Sequence, residues 1–168
     1  MGSFSKLVVE VGKWSHDNFG NNDGLNEVGP ILGLAEELLD ELPRAETVSQ
    51  QLDAFADAMI FLADAFYRSG SSSVNIDFEA NVKCGHDYLV QCIGQVSKSA
   101  LKNRQGIRGV NGWYVENNLR GLFLAIVGYY KKAVLDGPPL ADVVWRTWEE
   151  VRRRNWRENP ENAHEVAS

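Results

Sequence analysis

Cysteine, histidine and β-type alternation are all scarce in this chain of 168 residues, and each scarcity excludes something. Cys84 and Cys92 are the only cysteines. Eight residues apart on an expected helix, they are too distant to bridge within it. Structural thiols in a reducing compartment are the expectation. His16, His86 and His164 are scattered, without zincin or zinc-finger spacing, and there is no C-x-x-C. G-x-x-x-x-G-K-[ST], G-x-G-x-x-G and G-x-S-x-G are all missing, so P-loop, dinucleotide-fold and nucleophile-elbow chemistry lose their sequence support. No apolar run reaches the 18 or so residues that a membrane span needs. The opening MGSFSKLVVEVGKW has no signal-peptide h-region followed by a cleavage site, which makes a cytoplasmic protein the expectation. With a net charge of −6, general attraction to nucleic acid or acidic lipid is not expected.

What is present is helical patterning. Ser5 to Asn18 places Leu7, Val8, Val11 and Trp14 on one face. A Gly- and Asn-rich loop follows. Gly33 to Ala45 reads as a helix ending at Leu42 or soon after, because Pro43 disfavours helix just before it. Thr47 or Ser49 can cap the next helix, which runs to about Ser69. Residues 70–77 are a polar break. Phe78 to about Arg104 reads as a fourth helix, with Val82, Leu89, Ile93, Val96 and Leu101 inward. Trp113 to Leu135 is a fifth, with Gly121 and Gly128 leaving room for close contact or weakening it. Pro139 to about Trp156 is the sixth, carrying Val143, Val144, Trp148 and Val151. The fold class is all-α: one domain over residues 1–157, a helical bundle with a four-helix core, and a tail over 158–168.

The chemistry concentrates between Gly33 and Asp64. At about 100° per residue, Leu52, Phe55, Ala56, Met59, Leu62, Ala63 and Phe66 share one face. Ala54, Ala58, Phe61 and Ala65 form a second. A helix that is apolar on two sides is expected to be buried. Asp53, Asp57 and Asp64 make a narrow acidic line between those faces, and buried carboxylates need partners. The preceding helix offers Glu36 with Asp40 and Glu37 with Glu41, each pair one turn apart. An antiparallel arrangement would set these acids opposite Asp53 and Asp57. Oxygen-only donors suit Mg²⁺ or Mn²⁺. A plain solvated face accounts equally for the acids of the first helix, but less readily for Asp53 and Asp57.

Lys98, Lys102, Arg104 and Arg108 surround the QGIRG turn, and Arg152, Arg153, Arg154 and Arg157 lie near the C-terminus. Local positive charge of this kind can meet phosphates, although most such side chains are solvated or paired. Trp14 and Phe19 are large enough to stack on a nucleobase, although the position of Trp14 also suits a core.

The order of these features resembles the MazG-like, all-α nucleoside triphosphate pyrophosphohydrolases, particularly a branch common in phages and mobile elements. The likeness covers most of the chain. It runs through KWSHDNFG, Glu36-Glu37-Leu38-Leu39-Asp40 against an EExxE pattern, and Asp53-Ala54-Phe55-Ala56-Asp57 against DAxxD. The later segments LKNRQGIRG and WEEVRRRNWRENP continue it. Asp40 stands where the pattern has a third Glu. Ala54 stands three before Asp57 in place of Glu, with Asp53 as its substitute on the same helical line.

The resemblance implies hydrolysis of a nucleoside triphosphate to the monophosphate and pyrophosphate. Glu36, Glu37, Asp40, Asp53 and Asp57 would hold Mg²⁺, which neutralises phosphate charge and lowers the pKa of the attacking water. Glu37 would take the water's proton. Trp14, Lys98, Lys102, Arg108 and Arg154 would contact substrate, the four basic residues at the triphosphate. A homodimer or dimer of dimers is implied, assembled through helix–helix interfaces, with the second apolar face of the Leu52–Phe66 helix free for a partner. The alternative is a catalytically silent helical interaction domain that keeps the family fold, as the changes at positions 40 and 54 suggest. A di-iron carboxylate bundle would need Glu-x-x-His pairs on core helices, and these are missing.

Overall fold

Thr47 closes a capping box with Gln50: its hydroxyl accepts from the Gln50 N–H, and the Gln50 side chain accepts from the Thr47 N–H, both at 3.2 Å. Such a cap stabilises a helix start by about 1 kcal/mol. It launches α3, Val48–Arg68, the helix on which the rest is hung. The computed structural model describes residues 2–20, 28–71, 74–107 and 112–159, without the side chains of 112 and 113. Within them α1 is Phe4–Phe19, and α2 runs through Val28–Ala35, Glu36–Glu41 and Leu42–Arg44. Then come α4 (His86–Arg104), α5 (Gly112–Ala133) and α6 (Leu140–Val151). Among the described residues there is no strand, and the protein is all-α.

α3 packs against α1, α2, α5 and α6, while α4 lies against α5 and α2. Phe55 meets Tyr129 and Tyr130 of α5, and Phe66 meets Phe4 of α1 edge-on at 5.7 Å. Two glycines set how closely the neighbours approach. A β-carbon at Gly12 would fall 1.9 Å from the Tyr67 ring, and one at Gly33 2.4 Å from the Phe61 ring. Both apolar faces of α3 are therefore covered inside this chain. Ala54, Ala58 and Ala65 are buried, and Phe61 packs on α2. The face expected to await a partner is already in use.

Two expected boundaries move, while α2 closes at Arg44, soon after Leu42 as expected. Pro43 sits within its last turn. It lacks the N–H that an α-helix would direct to the Leu39 carbonyl, and the preceding turn widens so that the Leu42 N–H bonds the Glu37 carbonyl, five residues back. α4 starts at His86 rather than Phe78, because residues 79–84 are pinned to α5 instead. The Lys131 ammonium donates to the carbonyls of Glu79 and Ala80, and the Cys84 thiol donates to the Ala125 carbonyl. Gly128 admits that backbone: a β-carbon there would lie 3.2 Å from Cys84 N and Val82 O. Cys84 thus stands outside the helix that carries Cys92, and Leu101 is exposed while Ala100 is buried in its place.

α6 ends at Val151, not near Trp156. Residues 152–159 fold back as an arm over the end of α1. The Trp156 N–H donates to Asn18 Oδ1 at 3.0 Å, and the Arg157 guanidinium donates to the Asp17 carbonyl at 3.2 Å. These bonds replace the helical ones that would have continued α6. No helix among the described residues is long and apolar enough to cross a membrane.

Candidate active site

α1, α2, α3 and the C-terminal arm enclose a cavity of about 330 Å³. Its acidic end is built by α2 and α3. Glu36, Glu37 and Glu41 come from the widened turn of α2, and Asp57 faces them from α3. π turns are rare and recur at functional sites. Here the turn decides which acids converge: five-residue spacing brings Glu36 and Glu41 to the cavity and leaves Asp40 outside. The Asp40 carboxylate is exposed and pairs with Arg44.

Burial and crowding set the charge state. Glu37 is 7% exposed, and its Oε2 is buried with no hydrogen-bond partner. Burial first, then the charges of Asp57, Glu41, Glu36 and Asp53, push its pKa from the ordinary 4.5 up to about 8. Burial raises Asp57 from 3.8 to about 6, with Asp53, Glu41 and Glu150 adding to the rise and Arg154 opposing it. Asp53 is exposed and sits off the cavity wall. Burial and the neighbouring Glu150 raise its pKa, and Arg146 opposes.

This donor set fits a hard divalent cation in kind. It is all oxygen, it is anionic, and one carboxylate oxygen is buried without a donor. A carboxylate whose pKa is raised first by burial and then by like-charged neighbours gains from a cation among them. As the side chains stand, no three His, Cys, Asp or Glu residues among those described are closed into a coordinating group.

The opposite end of the cavity is aromatic. Trp14 and Phe19 meet edge-on at 5.8 Å, and Phe19 meets Trp156 of the arm at 5.9 Å. The Trp14 indole N–H donates to the Arg154 carbonyl at 3.3 Å, which ties the arm to α1. Arg154 itself lines the cavity, its Nε buried without a partner, and its charge lowers the pKa of Asp57. Asp64, the third acid of the α3 line, is already neutralised. Arg68 Nε bonds its Oδ1 at 2.9 Å, and the Ser15 hydroxyl donates to its Oδ2 at 2.7 Å.

The structure therefore brings Glu36, Glu37, Asp57, Trp14 and Arg154 to one cavity. Lys98 and Lys102 lie on α4 and do not line it, and Lys102 donates to Gln105. Arg108 lies outside the described residues. Glu41, Phe19 and Trp156 join the wall. The Glu37–Glu41 spacing signals the first of these. Trp156 lies in the WEEVRRRNWRENP segment that carries the resemblance, and it reaches the cavity because the chain folds back after α6. No family model, curated protein or solved structure matches this chain.

Proposed function

We propose that this protein is a Mg²⁺-dependent nucleoside triphosphate pyrophosphohydrolase, with Mn²⁺ as an alternative ion. The observation that carries the reading is Glu37. It is a buried carboxylate with an unpartnered oxygen, crowded by four other acids, at one end of a cavity whose other end is aromatic. The carboxylate end suits a cation and the phosphates it accompanies. The aromatic end suits a nucleobase.

Glu36, Glu37, Glu41 and Asp57 are the side chains that would hold Mg²⁺, with Asp53 nearby. When bound, the ion supplies charge neutralisation at the phosphates and a more acidic water. Glu37 would accept the proton of the attacking water as the α–β phosphoanhydride is cleaved and pyrophosphate leaves. Arg154 directs its guanidinium charge to the same end and meets the leaving phosphates. Trp14 walls the base side and, through Arg154, holds the arm.

Assembly as a homodimer or dimer of dimers belongs to the same proposal. With both faces of α3 covered, the contacts would come from α4 and α5, where Val90, Leu101 and Leu124 are exposed. Lys98 and Lys102 would then serve a neighbouring copy's cavity. A second reading, a silent interaction domain, rests on Asp40 and Ala54 standing where the resembled pattern has Glu. Phosphate release from a panel of ribo- and deoxynucleoside triphosphates, with Mg²⁺, with Mn²⁺ and with chelator, separates the two. Metal-dependent pyrophosphate, and not orthophosphate, is the expected product. Folded protein that releases neither with any triphosphate sinks the hydrolase.

A further inference from the structure

We infer that the aromatic end of the cavity selects a nucleobase bearing an exocyclic amino group, guanine, adenine or cytosine, over uracil or thymine, and that the Asp64 carboxylate, set by Ser15 and Arg68, is the selecting group. The inference rests on the reading of this cavity as a nucleotide site.

The placement follows from two helices. Asp57 and Asp64 are seven residues apart on α3, roughly 10 Å along its axis. That separates the acidic end from Asp64 by about the reach from a nucleotide's inner phosphates to its base. On α1, Ser15 and Phe19 are one turn apart, so the hydroxyl that touches Asp64 lies beside the aromatic wall. Arg68 reaches the same place, donating to the Gly20 carbonyl at 3.0 Å, just past Phe19.

The hydrogen-bond directions settle what this end offers. Arg68 gives Nε to Asp64, one terminal nitrogen to Ser15 Oγ at 2.7 Å and the other to Gly20, and its two remaining N–H groups belong to a side chain that does not line the cavity. The Ser15 hydroxyl spends its only proton on Asp64 Oδ2. Each Asp64 oxygen therefore accepts one bond and keeps capacity for another. Ser15 and Asp64 both line the cavity, and both are more than nine-tenths buried. What they present is acceptor lone pairs, fixed in place by the bonds from Arg68 and Ser15. An amino group donates to them. Uracil and thymine offer a single ring N–H flanked by two carbonyls, whose oxygens the carboxylate repels.

The test is equilibrium binding of dGMP, dAMP, dCMP, dUMP and dTMP to the full chain with Mg²⁺, followed by tryptophan fluorescence, since Trp14 and Trp156 wall the cavity. Amino-bearing nucleotides are expected to bind at least about tenfold more tightly than dUMP and dTMP. Asp64→Asn, which presents a donor as well as an acceptor, is expected to remove that ratio. Where that variant fails to fold, the wild-type ratio decides, and Ser15→Ala, which leaves the carboxylate in place, is expected to keep it. A purely structural Asp64–Arg68 pair predicts no base ratio, so equal binding of all five overturns the inference, as does no binding at millimolar nucleotide. Pyrophosphate release without a base ratio sinks this inference alone. A base ratio without pyrophosphate release supports it and sinks the hydrolase.

Discussion

The Trp14 indole donates to the backbone carbonyl of Arg154, a bond of 3.3 Å that spans 140 residues of sequence. Through it, α1 holds the arm that carries both Arg154 and Trp156 to the cavity. Trp14→Phe keeps an aromatic ring and deletes the donor. Expected are a loss of about 1 kcal/mol in thermal unfolding and a rise in KM larger than the fall in kcat. Steady-state kinetics beside a melting curve checks both, and an unchanged KM removes the arm from the site.

Glu37→Gln and Asp57→Asn test the acidic end. Pyrophosphate release is expected to fall at least about a hundredfold in each, the scale on which a general base acts. Circular dichroism should show the same helix content. Full activity in either variant means the site is elsewhere.

The same group makes stability depend on pH. Glu37 is pushed up from 4.5 to about 8, so between these values the folded protein keeps a proton that the unfolded chain has released. Stability is then greatest below about pH 4.5 as far as this group is concerned, and is lost as pH rises through 8. Asp57 adds the same sign between 3.8 and about 6. In chelator, Glu37→Gln should melt a few degrees above wild type at about pH 8.5, and close to it at about pH 5. A wild-type melting temperature that climbs from pH 5 to 8.5 contradicts this.

Mg²⁺ competes with those protons. Its stabilisation of the wild type should be larger at about pH 8.5 than at about pH 6, because ligands must deprotonate to bind. Scanning fluorimetry across Mg²⁺ concentrations at both values reads the difference. Equal shifts at both would mean that the ion binds away from Glu37.

Asp40 and Glu41 should part company. Asp40 sits on the surface with Arg44, and such exposed pairs contribute roughly 0–1 kcal/mol. Asp40→Ala is expected to keep activity within about twofold. Glu41→Gln, on the cavity wall, is expected to weaken Mg²⁺ activation about tenfold or more. The reverse order would restore the regular helical spacing as the guide to the site.

That last contrast shows where the sequence stops being legible. The inward faces of α1, α5 and α6 follow from period alone: Leu7, Val8, Val11, Leu119, Phe123, Ile126, Val144 and Trp148 are all buried. The Thr47 cap follows from residue type. Asp40 and Glu41 are neighbours of like charge, and a regular helix favours the first. The π turn before Pro43 exchanges them. The boundary of α4 is also lost. Residues 79–84 have fair helical patterning, but Lys131 donates to their carbonyls, Ala125 accepts from the Cys84 thiol, and Gly128 leaves room for their backbone.

By itself the sequence determined the helical class, the heavily buried third helix and the acids from which a site can be drawn, because these depend on side-chain chemistry at fixed local spacing. Only the tertiary structure decided which acids converge, that Ser15 of α1 bonds Asp64, that both faces of α3 are used, and that the chain after Val151 returns to α1. The Ser15–Asp64 bond and the return of the arm join groups 49 to 140 residues apart. No local pattern encodes such partners, since each bond forms only once packing has brought its donor and acceptor together.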